Sequence, residues 1–74
     1  MDNMTKAEWN VVRRFASNVI REHGGILQAL AYTEYVLAKL EWTICQNDIS
    51  EKLGNEYKFY CSVYDEIEER IWLN

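Results

Sequence analysis

The segment from Ile26 to Gln46 constrains the fold most, because its apolar side chains leave only a narrow polar strip. At the helical step of 100° per residue, these side chains fall into two stripes. One stripe holds Ile26, Leu30, Leu37, Leu40 and Ile44, and the other holds Leu27, Ala31, Ala38 and Cys45. A surface helix needs only one apolar face. Two stripes therefore predict either a central helix of a bundle or an outer helix that a second subunit covers.

Local signals divide the rest of the chain into helices. The chain has no proline, and its glycines are confined to Gly24-Gly25 and Gly54, which favours long helices over a β fold. Thr5 and Glu8 have the spacing of a capping box, and Gly24 suits a left-handed helix end. We predict helices at about 6–23, 26–46 and 49–72. They would form one all-α domain over residues 1–74, an antiparallel three-helix bundle. Because a core is marginal in 74 residues, homodimerisation could complete it.

The third predicted helix carries a regular stripe with three tyrosines at its centre. The stripe consists of Ile49, Leu53, Tyr57, Tyr60, Tyr64, Ile67 and Ile71. These steps of three and four residues are typical of a helix face that packs against neighbours. The phase is kept across Gly54, so we expect a continuous or slightly bent helix.

Charge is distributed unevenly along the chain, whose formal net charge is −4. The last 28 residues carry seven acids and three bases, whereas the first 25 carry three acids and four bases. This balance disfavours nucleic acid and anionic membrane as partners and favours a basic protein surface. Acids near the end of the third helix oppose its dipole, which suggests a use outside the helix. The predicted partner-binding residues are Asp65, Glu66, Glu69, Trp72 and Glu51.

Residues for catalysis or metal binding form no recognisable motif. The single His23 does not supply a triad, and the serines lack a nucleophile motif. Cys45 and Cys61 are too far apart for a metal motif and fit reduced, packed thiols. Glu34 and Glu41 are expected at the edge of the core, where they reach water or an arginine. We therefore predict no enzyme activity, no cofactor and no metal.

The second predicted helix is nearly long enough to span a membrane, but its charges oppose insertion. Glu34, Lys39 and Glu41 would each cost about 2.5 to 3.5 kcal/mol near the bilayer centre. The first residues, MDNMTKAEW, lack the basic and apolar regions of a signal peptide. We expect a cytoplasmic protein without membrane contact.

These features favour a non-catalytic, acidic protein-binding module, a small regulator or inhibitor that docks a basic surface of a target. By analogy, that target could be a nucleic-acid-binding protein in a host-defence, phage or mobile-element setting. A structural homo-oligomer is one alternative. In it, a mate buries the second stripe of the second helix, and the basic first helix meets the acidic third helix of the neighbour. A small transcription-associated regulator is another alternative. It would contact nucleic acid through Arg13, Arg14 and Arg21.

Overall fold

The computed structural model describes residues 4–46 and 51–73, and these form three helices packed against one another. The helices are α1 (Lys6–His23), α2 (Ile26–Gln46) and α3 (Glu51–Leu73). The all-α three-helix bundle is therefore confirmed. The bounds of α1 and α2 coincide with the predicted ranges, and α3 runs one residue past its predicted end. The predicted start of that helix, at residues 49 and 50, lies outside the described residues.

Both ends of α1 form as the local sequence predicts. The Thr5 side chain accepts from the Glu8 amide at 3.1 Å, and the Thr5 amide donates to Glu8 Oε1 at 2.8 Å. These two bonds satisfy amides that the helix itself leaves unpaired. At the other end, Gly24 adopts a left-handed φ of 84° and its amide donates to the Ile20 carbonyl. The chain can then reverse directly into α2.

The core lies where the three helices meet. Its fully buried members are small or β-branched, which lets the helix backbones approach closely. They are Val12, Ala16 and Val19 of α1, Ala29 and Thr33 of α2, and Val63 and Ile67 of α3. The buried Thr33 hydroxyl donates to the Ala29 carbonyl at 2.8 Å, so it is not left unsatisfied. Beside this core, Phe15 packs edge to face on Phe59 with ring centroids 5.0 Å apart.

Helix α2 is an outer helix of the bundle and is not surrounded on two sides. The first predicted stripe is half-buried, but Leu27 is 69% exposed, and Ala31, Ala38 and Cys45 are exposed as well. The alternative in which α2 is central is therefore wrong for the isolated chain. The physical reason is that α1 and α3 both pack on one side of α2. The completely buried residues of α2 are Ala29 and Thr33, and neither predicted stripe includes them.

Helix α3 buries a wider face than the predicted tyrosine stripe. Tyr57, Tyr60 and Tyr64 are half-buried, while Val63, which the stripe omits, is completely buried with Ile67. Tyr57 and Tyr64 of the stripe contact α2, whereas Tyr60 packs edge to face on Phe15 of α1. The helix continues through Gly54 as predicted. No helix among residues 4–46 and 51–73 combines the length and apolarity needed to cross a membrane.

Candidate partner-binding surface

The last turns of α3 present three carboxylates and a tryptophan on one exposed side. Glu68 and Glu69 lie three and four residues after Asp65, and Trp72 lies three and four residues after them, which places all four on the same helix face. We call these four residues the acidic face. Trp72 is 82% exposed. Within the described part of the chain, the three carboxylates make no ion pair or hydrogen bond. The structure therefore brings together three predicted residues, Asp65, Glu69 and Trp72.

Glu66 was predicted to belong to the same surface, but it lies on the side of α3 that faces α1. Its carboxylate accepts from Arg70 Nε at 3.1 Å and lies 3.9 Å from Arg13 Nε. Only 13% of its side chain is exposed. Glu66 is therefore held within the molecule, and we leave it out of the surface offered to a partner.

Glu51 is exposed, but it is remote from the acidic face. It lies in the first turn of α3, about 21 Å from Asp65 along the helix at 1.5 Å per residue. An acid there is favoured by the helix dipole, so its position needs no external partner to explain it. Glu68 is the residue that the predicted site lacked. Its spacing of three from Asp65 and four from Trp72 was the signal that could have identified it.

A groove of about 810 Å³ lies between α1 and α3 and adjoins the acidic face. Asp65 belongs to both surfaces, and Glu8 supplies a second carboxylate on the α1 side. The apolar part of the lining includes Met4, Val11, Val12 and Phe59. The half-buried Cys61 also lines this groove, and burial raises the pKa of its thiol. The groove thus combines an apolar lining with the carboxylates of Glu8 and Asp65 and the ammonium of Lys58, and its thiol is a weak nucleophile.

Two carboxylates on the edge of α2 are engaged by tyrosines of α3. The Tyr57 hydroxyl donates to Glu41 Oε2 at 2.7 Å, and the Tyr64 hydroxyl donates to Glu34 Oε2 at 3.0 Å. The pKa of Tyr57 is raised to about 12, mainly by the hydrogen bond to Glu41 and to a smaller extent by burial. The bond to Glu34 likewise raises the pKa of Tyr64. From the sequence we expected these two acids to reach water or an arginine. In the structure, each accepts a hydrogen bond from a tyrosine hydroxyl.

The three arginines predicted for nucleic-acid contact are in different environments. Arg13 lies beside Glu66 and over the Trp9 ring, 6.0 Å from its centroid. Arg21 donates to the Asn18 side chain. Arg14 is exposed and, within the described residues, has no ion pair. Arg13 is thus partly used in holding α1 against α3.

The cysteines and other potential metal ligands are dispersed. Both cysteines are free thiols as predicted, but only Cys61 is half-buried; Cys45 is exposed, so the prediction that it is packed is wrong for the isolated chain. In the part of the chain that the structure describes, no group of three or more His, Cys, Asp or Glu side chains is placed to hold a metal ion. Comparison of the chain with protein-family models, with curated proteins and with solved structures gives no match.

Proposed function

We propose that this protein is a cytoplasmic, non-catalytic protein-binding module, a small regulator or inhibitor that docks a basic target through its acidic face. The observation that carries the proposal is Trp72, which is 82% exposed and flanked by three carboxylates that make no ion pair or hydrogen bond with the residues the structure describes. Free thiols at Cys45 and Cys61 are compatible with a reducing compartment.

An exposed tryptophan among acids has the composition of a binding hot spot with a polar rim. A buried Trp removes about 150–250 Å² from water, and Trp is enriched among the residues that dominate binding energies. Around Trp72, the carboxylates of Asp65, Glu68 and Glu69 would pair with lysines or arginines and steer the approach of a basic protein. Their arrangement favours a target with an apolar pocket surrounded by basic side chains.

The position of these acids also supports a use outside the helix. The C-terminal end of a helix carries a partial negative charge, so each exposed acid there costs about 0.3–1 kcal/mol. Arg70, the base in the last turn, is engaged by Glu66 and by α1 and does not neutralise the acidic face. Contacts with a basic target would offset this destabilisation.

The groove between α1 and α3 extends the surface. Asp65 borders it and Val11, which is 53% exposed, forms part of its apolar wall. A target residue with an apolar stem and a cationic head could place the stem against Val11 and the head near Asp65. A target that normally binds phosphates would meet carboxylates in similar positions, which is the basis for including nucleic-acid-binding proteins among the candidates.

The test is affinity capture from native host cells with matched charge variants. One bait carries Asp65→Asn, Glu68→Gln and Glu69→Gln. Its control carries Glu22→Gln, Glu51→Gln and Glu56→Gln, which neutralise three exposed acids elsewhere. We expect wild type and control to retain the same basic protein and the acidic-face variant to lose it. Binding should also weaken as salt rises.

Three results would contradict this proposal. Equal loss of the target from both variants would show that total charge, and not the acidic face, governs binding, and full retention by both would show that neither does. Retention that is unchanged by Trp72→Ala would remove the tryptophan from the interface. Each result would leave the fold as described and redirect attention to another surface.

The structural homo-oligomer is the second candidate, and the exposed apolar side of α2 is the observation that favours it. The nucleic-acid alternative has weaker support, since Arg13 lies beside Glu66 and Arg21 beside Asn18.

A further inference from the structure

The side of α2 that faces away from the bundle is apolar from Ala31 to Cys45. Its residues recur at steps of three and four, as in a heptad seam. They are Gln28, Ala31, Tyr35, Ala38, Trp42 and Cys45, which we call the outer seam. All six are exposed, Tyr35 to 61% and Trp42 to 66%. The solvent side of a surface helix is ordinarily polar, so this face has the pattern of a helix that packs against another helix.

The two edges of the outer seam differ in charge. On the edge next to α3 lie Glu34 and Glu41, which accept from α3 tyrosines. On the edge next to α1 lie Lys39 and Tyr32, and Tyr32 stacks on His23 of α1 with ring centroids 4.2 Å apart. Lys39 Nζ lies 5.5 Å from the centre of the Tyr35 ring, at the border of the seam. The face is therefore apolar in the middle, acidic on one edge and basic on the other.

We propose that a second copy of this chain covers the outer seam, with the two α2 helices packed in parallel about a twofold axis. In a parallel pair about a twofold axis, the acidic edge of each α2 helix lies against the basic edge of the other. In heptad terms, Glu34 then faces Lys39 of the partner subunit, five residues further along, and the pair occurs twice by symmetry. This inference deepens the homo-oligomer named above as the second candidate, and because it uses a different surface from the acidic face it does not depend on the binding of a basic target.

The charges of the flanking helices select the same orientation. Helix α1 carries four bases and two acids, whereas α3 carries three bases and six acids. A parallel pair brings the α3 side of one subunit towards the α1 side of the other. An antiparallel pair would instead bring the Glu34 and Glu41 edge against the same edge of its mate. Charge complementarity therefore favours the parallel arrangement.

The seam also offers enough apolar surface for a modest interface. Buried aromatic rings contribute about 150–250 Å² each. Four rings, Tyr35 and Trp42 from each subunit, would bring about 400–650 Å² at their observed exposure. The alanines, Leu27 and Cys45 add to this total, towards the roughly 1,200 Å² of the smaller stable interfaces. Ala31 and Ala38 alternate with Tyr35 and Trp42 along the seam, and their small side chains leave room for the rings of the two subunits to pack with an offset. We expect a dimer that forms between about 1 and 100 μM.

Sedimentation of the full chain across that range tests whether the outer seam is an interface. We expect a dimer, and we expect Trp42→Glu to weaken it at least tenfold by placing a charge in the seam. The matched control is Trp72→Glu, the same change at an exposed tryptophan on α3, which should leave the dimer intact. Unchanged helicity, together with unchanged melting at concentrations where wild type is monomeric, shows that both variants fold. A monomer at every concentration, or equal effects of the two changes, would overturn the proposal.

Charge exchange tests the orientation. In a parallel dimer, Glu34→Lys should weaken association by about 3- to 10-fold through two lost pairs, and adding Lys39→Glu should restore it. In an antiparallel dimer, the same Glu34→Lys change would strengthen association by facing Glu41 of the partner subunit. Tyr64→Phe controls for the lost bond to Glu34, because it removes that bond without changing charge. Strengthening by Glu34→Lys would overturn the parallel arrangement.

Cys45 provides an independent distance measurement. In a parallel pair it meets Cys45 of the partner subunit, within the Cα separation of about 4.4–6.8 Å that a disulfide needs. In an antiparallel pair the two residues would lie about 26 Å apart. In the Cys61→Ser protein, oxidised glutathione should link the dimer, with two thiols oxidised and two glutathione molecules released. A dimer that does not link, or links no faster than the Trp42→Glu variant, contradicts the proposal.

Discussion

The Tyr57 hydroxyl of α3 donates a hydrogen bond of 2.7 Å to Glu41 of α2, sixteen residues earlier in the chain. Tyr64 and Glu34 repeat the arrangement two turns further along α3 at 3.0 Å. Since residue numbers rise along α3 as they fall along α2, the two pairs show that these helices are antiparallel. The two hydrogen bonds also hold α3 beside the edge of the outer seam that carries Glu34 and Glu41.

The Tyr57 contact predicts a loss of stability at alkaline pH. The bond to Glu41 raises the pKa of Tyr57 to about 12 in the folded protein, while an unfolded tyrosine titrates near 10. A raised pKa means that this contribution is fully present below pH 10 and is lost as the pH rises through 12. Tyr64 acts in the same direction. Melting temperatures between pH 8 and 12 should fall less steeply in Tyr57→Phe than in wild type.

Tyr35→Phe is the matched control for this prediction when melting is measured below the concentration range of the proposed dimer, because it then removes an exposed phenol from α2 at a site facing away from α3. Its pH dependence should follow wild type. If all three proteins lost stability in parallel, the Tyr57 bond to Glu41 would have no part in the alkaline transition.

Local features of this fold could be predicted from sequence, whereas the coverage of each helix face could not. The Thr5 and Glu8 capping box depends on residues three apart, and Gly24 needs only its own backbone freedom. Which side of α2 is covered depends instead on where two other helices pack. Val63 was missed because a face that contacts two helices is wider than one stripe of spacings.

In the candidate site too, contacts between residues close in sequence could be predicted, whereas contacts between distant residues could not. Glu66 and Arg70 are four residues apart, so their pairing could be expected. The bonds that turn Glu66 inward come from Arg70 reaching Ser17 and the Arg13 carbonyl, 53 and 57 residues away. No periodicity connects such distant positions. Helical spacing therefore placed Asp65, Glu69 and Trp72 together correctly but could not separate Glu66 from them.

Arg70 should contribute to stability by joining the end of α3 to α1. Its guanidinium donates to Glu66 at 3.1 Å, to Ser17 at 3.0 Å and to the Arg13 carbonyl at 3.1 Å, and 25% of the side chain is exposed. We expect Arg70→Ala to lower the free energy of unfolding by about 1–3 kcal/mol. Urea denaturation measures this change.

Lysine at this position provides the control. Arg70→Lys keeps the charge but loses the fork that reaches three acceptors, so it should recover only part of the stability. Full recovery would show that charge alone accounts for the role of Arg70. No loss in Arg70→Ala would show that the contacts to Ser17 and Arg13 add nothing to stability.

Two isoleucines of α3, one turn apart, should respond differently to the same small change. Ile67 is fully buried, whereas Ile71 is 36% exposed. Ile67→Val removes one methylene from the core and should cost about 0.5–1.5 kcal/mol. Ile71→Val should change the free energy of unfolding by less than about 0.5 kcal/mol. Equal effects in urea denaturation would contradict the position of the core between the three helices.

Neutralising Glu69 of the acidic face should stabilise the protein, although it would weaken the proposed binding of a basic partner. Glu69 lies closest of the three acids to the negative end of the α3 dipole, so Glu69→Gln should raise the free energy of unfolding by about 0.3–1 kcal/mol. Glu51→Gln, at the opposite end of the same helix, should lower it by a similar amount. Both differences should shrink as salt screens the charges. Destabilisation by Glu69→Gln at low salt would mean that this acid stabilises its own fold, which would remove one reason for expecting an external basic partner.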